Sequence, residues 1–214
     1  MKTNEFITRY RRWLIIVPVI ITLLMLIPLS RAKINPDLMD YLPDDIEANI
    51  NNERLEEIFG KFEPILIIFK SDDVLESKTL NRIYQINNEL IYSELVDDVM
   101  SLFETKYIRG EDGAMLVDPA IKFLPENDDE REQLRQELVD NPLAYELMVS
   151  DDFKYTSIIL SANEGVSDEE IFDFILTTLD DNPGNEEVYL NGLPYLRYEV
   201  QSMATRDIAI LMPL

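Results

Sequence analysis

Neither cysteine nor histidine occurs among the 214 residues, and glycine occurs only six times. Without thiols there is no disulfide framework, no thiolate nucleophile and no Cys-ligated zinc or iron–sulfur site. Without imidazole the commonest general base is missing as well. What remains is carboxylate, lysine, serine or tyrosine chemistry, so the expectation is a protein that is not an enzyme and has no catalytic, cofactor-binding or metal-ligating residues and no cofactor. Basic residues are scarce too: 19 Lys and Arg stand against 42 Asp and Glu, a formal charge of -23. Such a surface repels phosphates, which excludes nucleic acid as a partner.

The apolar content is concentrated near the start. Trp13 to Leu29 (WLIIVPVIITLLMLIPL) carries no charge, and a helix of that length spans about 26 Å, just enough to cross a bilayer. Lys2, Arg9, Arg11 and Arg12 precede it against the single Glu5, which keeps residues 1–12 cytoplasmic by the positive-inside rule. Subtracting those four basic residues and one acidic residue leaves 15 basic and 41 acidic residues after Leu29. A cleaved signal peptide fits less well, because Ser30-Arg31-Ala32-Lys33 is not a small-x-small cleavage site. At the other end Arg206-Asp207 is followed by IAILMPL. That run reads as the start of a second membrane helix, with Asp207 marking the boundary. The expected layout is a cytoplasmic 1–12, a membrane helix at 13–30, an extracytoplasmic domain at 31–206 and a truncated second helix at 207–214.

Between these segments the hydrophobic periodicity alternates. Leu55, Ile58, Phe59 and Phe62 recur at helical spacing, ended by Gly60 and Pro64. Residues 64–70 (PILIIFK) read as a strand. Asp73 with Glu76 resembles a capping box, followed by the helical face Leu80, Ile83, Tyr84, Asn87, Leu90 and Ile91. Residues 96–103 read as a strand, and 105–117 as a hairpin turning at Gly110 and Gly113. Asp129 and Glu132 introduce an acidic helix with a thin apolar face. Residues 155–162 give another strand, Ser167 with Glu170 caps a helix, and 188–190 is a last strand. With the hairpin and the acidic helix set aside as insertions, the order strand, helix, strand, strand, helix, strand predicts an α+β fold of ferredoxin-like, split βαβ type.

Five short stretches lie in order along this pattern: Phe59-Gly60-Lys61-Phe62-Glu63-Pro64, Val99-Met100-Ser101-Leu102, Leu116-Val117-Asp118-Pro119, Leu147-Met148-Val149-Ser150-Asp151-Asp152 and Gly192-Leu193-Pro194. Together with the two apolar ends they resemble the N-terminal part of a resistance-nodulation-division (RND) transporter of the hydrophobe/amphiphile, MMPL-like branch. That resemblance implies a porter-type domain of an inner-membrane pump that exports lipids or other amphiphiles, proton-driven in the full-length protein. Its implied partners are the lipid bilayer, a second porter domain in the remainder of the transporter, a hydrophobic substrate and a homo-oligomer. Tyr41, Phe103, Tyr107 and Phe123 are the candidate substrate-cleft residues.

Two other readings are available. One is a single-pass, membrane-anchored sensor or binding module. The other is a carboxylate hydrolase built on Asp97 and Asp98 or on Asp151 and Asp152. Adjacent strand residues face opposite ways, so the first pair cannot act jointly, and the second pair reads as a turn. A calcium loop is not spelled out, since no D-x-[DN]-x-[DN]-G occurs.

Overall fold

The computed structural model describes residues 12–13, 16–18, 20–21, 51, 54–55, 58, 62–111 and 114–211. The chain divides into two compact units, Met1–Asn35 and Pro36–Leu214. In the second, a four-stranded sheet is built from β1 (Ile65–Lys70), β2 (Val96–Met100), β5 (Tyr155–Ala162) and β6 (Glu187–Asn191). Its order is β2-β5-β1-β6, with every neighbour antiparallel. Helix α1 (Ser77–Ile91) follows β1, and helix α3 (Asp168–Asp181) follows β5. A separate two-stranded sheet, β3 (Lys106–Glu111) and β4 (Ala114–Pro119), precedes helix α2 (Asp128–Val139), and α4 (Leu193–Leu211) ends the described chain.

The period-two pattern of β1 explains its place. Ile65, Ile67 and Phe69 are fully buried on one face, whereas Leu66, Ile68 and Lys70 alternate on the other. The buried face meets Ile158 and Leu160 of β5, Ile83, Ile86 and Leu90 of α1, and Ile171, Phe172 and Ile175 of α3. On α1 the spacing is three and four residues, and on α3 Ile171 and Phe172 lie four and three residues before Ile175, which puts each set on one helical face. Ser167 begins α3 with the reciprocal capping box its sequence spells: its hydroxyl accepts from the Glu170 N–H, and the Glu170 carboxylate accepts from the Ser167 N–H.

A second core gathers Val74, Leu75, Leu80, Leu102, Ala120, Ile121, Leu134, Leu138, Ala144, Met148, Val149 and Phe153. It holds twelve buried residues among those described, as many as the first, drawn from the start of α1 and the segment before it, Leu102, α2 and the loops that flank α2. The two cores share α1: Leu80 belongs to the second, while Ile83, Ile86 and Leu90 belong to the first. Between them sits Ser101, whose hydroxyl donates to Asn87 Oδ1 at 2.7 Å and accepts from the Phe103 N–H.

The fold expectation is corrected on these grounds. The described chain is a mixed α+β domain with two small sheets, not a ferredoxin-like porter-type domain that carries a hairpin and an acidic helix as an insertion between two membrane helices. Among the described residues no helix is long and apolar enough to cross a membrane. The run after Asp207, expected to open a second membrane helix, instead continues α4, which begins at Leu193 and contains Arg197, Glu199, Arg206 and Asp207. The expected first span, 13–30, falls largely outside the described residues; Trp13, Ile16, Val17, Ile20 and Ile21 within it are helical and exposed.

Two helix starts also differ from expectation. The cap of α2 is Asn127, whose Oδ1 accepts from the Glu130 N–H at 2.9 Å, two residues before the expected Asp129. Asp73 does not cap α1, which begins after Glu76 with no side-chain cap. Its carboxylate accepts instead from Arg135 at 2.7 Å and lies 3.5 Å from Arg131, which ties the end of β1 to α2. A capping pattern and an ion-pair hub look alike in sequence, because both need a carboxylate near a helix start.

Candidate interaction surface

The β3–β4 hairpin has a stem and an open blade. At the stem the Ala120 N–H donates to Thr105 O at 2.9 Å, and Asn141 Nδ2 donates to Lys106 O at 3.4 Å. Lys122 pairs with Asp118 at 3.0 Å. Ala120 and Ile121, immediately after the blade, are buried in the second core and anchor it there.

Register decides what the blade displays. Ile108 is opposite Val117, and Gly110 is opposite Met115. Directly opposed residues and those two apart along a strand share a face. Ile108, Met115 and Val117 therefore lie together, and they are 51%, 72% and 56% exposed. Lys106 and Pro119, also opposite each other, rim that face. The other face carries half-buried Tyr107 and exposed Leu116. Among the described residues β3 and β4 pair only with each other, so each leaves one strand edge open.

The blade is also electrically unusual. Residues 105–122 contain Lys106, Arg109 and Lys122 against Glu111, Asp112 and Asp118, a balance of zero in a chain of net charge -23. By contrast, residues 164–187, which include α3, hold nine acidic residues and no basic ones. The hairpin therefore lacks the acidic excess of the rest of the chain and repels an acidic partner less than α3 does.

The structure places three of the four sequence candidates around this hairpin, on different elements. Phe103 precedes β3 and is largely a packing residue: it touches both cores and stands edge-on to Tyr84, with ring centroids 5.2 Å apart. Tyr107 lies in β3 opposite Asp118. Phe123 follows β4 with about half its surface exposed. Tyr41 lies outside the described residues. Sequence reasoning missed Ile108, Met115 and Val117, although the alternation Met115-x-Val117 was there to find; an apolar hairpin residue announces its exposure only once its strand has a known partner.

A second polar region lies between α3 and α4. Glu169, Asp173, Tyr198, Gln201, Ser202, Thr205 and Arg206 line a groove of about 340 Å³. Burial, followed by the charges of Asp173 and Glu199, holds the Tyr198 phenol above its ordinary value, so it remains a protonated donor. Nothing in this groove pairs a nucleophile with a base.

No family model matches the chain, and no curated protein matches it in sequence. The RND and MMPL-like resemblance is corrected accordingly, and with it the reading as a lipid-exporting pump or an anchored sensor. The expected bilayer, second porter domain, amphiphilic substrate, homo-oligomer and inner-membrane location go with it, since they rested on that resemblance and on helices absent among the described residues. The five motifs have local physical explanations. Glu63 serves an ion pair with Arg197, Ser101 bridges the two cores, Asp118 pairs with Lys122, and Ser150 with Asp152 closes a turn by a 2.7 Å hydrogen bond. Gly192 has φ +121°, and a side chain there would strike the Pro64 carbonyl. Turn and contact residues of this kind recur in unrelated chains.

Proposed function

We propose that the protein is a non-enzymatic interaction domain, without a cofactor of its own, that docks a protein partner on the β3–β4 hairpin. The observation that carries this reading is the shared open face of Ile108, Met115 and Val117 on two strands that join no other strand among the described residues. A two-stranded sheet is marginal in water alone, and exposed apolar strand faces are aggregation hazards unless a partner covers them. The partner's matching chemistry is an extended segment with apolar side chains, which adds a strand to one edge and covers the apolar face. The second core holds the stem rigid, so the blade is presented ready-formed and less ordering entropy opposes binding.

A photo-crosslinking residue at Met115, compared with one at exposed Gln133 on α2 in cells of the source organism, tests this. The expected result is a discrete protein adduct from position 115 that is absent from position 133 and is lost when Val117→Lys is added. Equal adducts from both positions, or none from 115, overturn the reading.

A further inference from the structure

Asn191 ends β6 and Gly192 leads into α4, and together they are the one Asn-Gly pair in the sequence. An asparagine followed by glycine is chemically labile where the glycine nitrogen can reach the side-chain amide carbon, because glycine has no Cβ to shield that nitrogen. The structure puts this pair in that position. Asn191 is exposed. The Gly192 N–H donates to Asn191 Oδ1 at 2.7 Å, so the nitrogen lies beside the carbonyl whose carbon it would attack. That N–H is used there and not in the ladder of β1 and β6, whose last pair is Leu66 with Asn191. Gly192 serves α4 through its carbonyl oxygen alone, which accepts from the Leu196 N–H at 3.1 Å. A recess of about 600 Å³ lined by Asn191, Gly192, Leu193, Leu196 and Glu199 gives water access to both residues.

We propose that Asn191 is a site of spontaneous deamidation. The Gly192 nitrogen loses its proton to water and bonds to Asn191 Cγ; the bond from Cγ to Nδ2 breaks, ammonia leaves, and a cyclic imide closes. Water then opens the imide at one of its two carbonyl carbons. Breaking the new bond to Cγ restores the ordinary backbone with an aspartate at 191. Breaking the original peptide bond instead leaves an isoaspartate, whose main chain runs through Cβ and Cγ and is one carbon longer. The net change exchanges ammonia for water, with no oxidation or reduction.

Tertiary structure decides what each product does. Gly192 has φ +121°, and a carbon added to it would lie 2.4 Å from the Pro64 carbonyl oxygen, so this corner has no room for a lengthened main chain. Just beyond it Arg197 of α4 holds both carboxylate oxygens of Glu63. The aspartyl product only adds negative charge ahead of α4, where the helix dipole favours it. The isoaspartyl product displaces the start of α4 from β1 and weakens the hold of Arg197 on Glu63.

The full chain is aged at mildly alkaline pH and physiological temperature, digested, and mapped by mass spectrometry with electron-transfer fragmentation, which separates the two products. The expected result is conversion of amide to acid at Asn191 about tenfold faster than at exposed Asn127 or Asn185, a factor equivalent to roughly 1.4 kcal/mol of barrier, with isoaspartate present. Conversion at 191 no faster than at those two positions overturns the site. Asn191→Gln, whose longer side chain closes the corresponding ring poorly, should keep its amide; equal loss there rules out attack by Gly192. Asn191→Asp carries the charge without the rerouted chain. Aged protein rich in isoaspartate should therefore unfold in less urea than Asn191→Asp, and equal midpoints refute the loosened corner. None of these measurements involves the hairpin, so this inference and the proposed function fail separately.

Discussion

Arg197 holds Glu63 across 134 positions of sequence, donating from Nη1 at 2.8 Å and from Nη2 at 2.7 Å, while its Nε and Nη2 hold Asp168 at 2.7 and 3.0 Å. One guanidinium thus joins three elements: the approach to β1, the first turn of α3, and α4. The Glu63 hydrogen bonds, then those of Asp168, keep the guanidinium above its already high ordinary value against the opposing effect of burial. It stays charged throughout the working pH range. The neighbouring contact of Phe172 with Tyr195 and Tyr198, at 5.4 and 5.1 Å between ring centroids, supplies the apolar part of the same joint between α3 and α4.

Replacing Arg197 with Met removes all four hydrogen bonds and leaves two partly buried carboxylates facing one another. The expected loss is about 3 kcal/mol, the scale of a broken buried pair. Arg197→Lys recovers little of it, because an ammonium cannot serve two carboxylates in a planar fork. Urea unfolding of the three proteins checks this; equal midpoints for Lys and Arg refute the clamp.

Glu186 gives the domain a dependence on pH. Its carboxylate is almost fully buried and accepts from Thr79 Oγ1 at 2.6 Å and Arg82 Nη1 at 2.7 Å. Burial by itself pushes this carboxyl up, but the hydrogen bonds from Thr79 and Arg82 outweigh it and the net displacement is downward. A carboxylate whose folded value lies below its unfolded value stabilises fully above the unfolded value, about 4.3 for Glu, and loses that contribution as the pH falls through the folded one. Glu186→Gln is therefore expected to cost about 3 kcal/mol near neutrality. The gap from the unmodified protein should narrow on descent below about pH 4.3. Unfolding curves at neutral pH and at about pH 3 measure the narrowing; a constant gap removes the assignment.

Leu138 tests whether the second core is a unit of its own. It is fully buried on α2 and belongs to the second core alone. Leu138→Ala is expected to cost about 2–5 kcal/mol by loss of burial and creation of a cavity. Hydrogen exchange should accelerate first in α2 and at the hairpin stem, with β1 and β5 following only at the global limit. Uniform acceleration would show one cooperative core in place of two.

The elements that were legible in sequence are those whose cause is local. Tyr155–Ala162 contains the short apolar run Ile158-Ile159-Leu160 that reads as β5, and Ser167 with Glu170 spells the cap of α3 within four residues. The stripe Ile171, Phe172 and Ile175 lies within one helix, so its periodicity alone predicts its buried face. The helix starts at Glu76 and Asn127 were less legible, because several acidic residues in a row offer competing caps and only the folded partners of Asp73 and Glu130 decide among them.

The candidate surface was less legible still. Ile108 and Val117 become one face only through the pairing of β3 with β4, and Arg197 acquires Glu63 only after the chain has returned across the sheet. The apolar run after Asp207 illustrates the limit from the other side: seven uncharged residues read as the beginning of a membrane helix, whereas in the structure the helix that contains Asp207 starts fourteen residues earlier, at Leu193.

By itself the sequence determined the chemistry that is open to this chain and the period of each strand and helix, since composition, caps and side-chain spacing act over a few residues. Tertiary structure alone decided that the acidic helix joins α1 and the loops around it in a second core, that Ile108, Met115 and Val117 stay exposed, and that Glu63, Asp168 and Arg197 meet. Those outcomes depend on strand order and on contacts between distant positions, where the energy of burial and of paired charge is realised only once the chain has closed on itself.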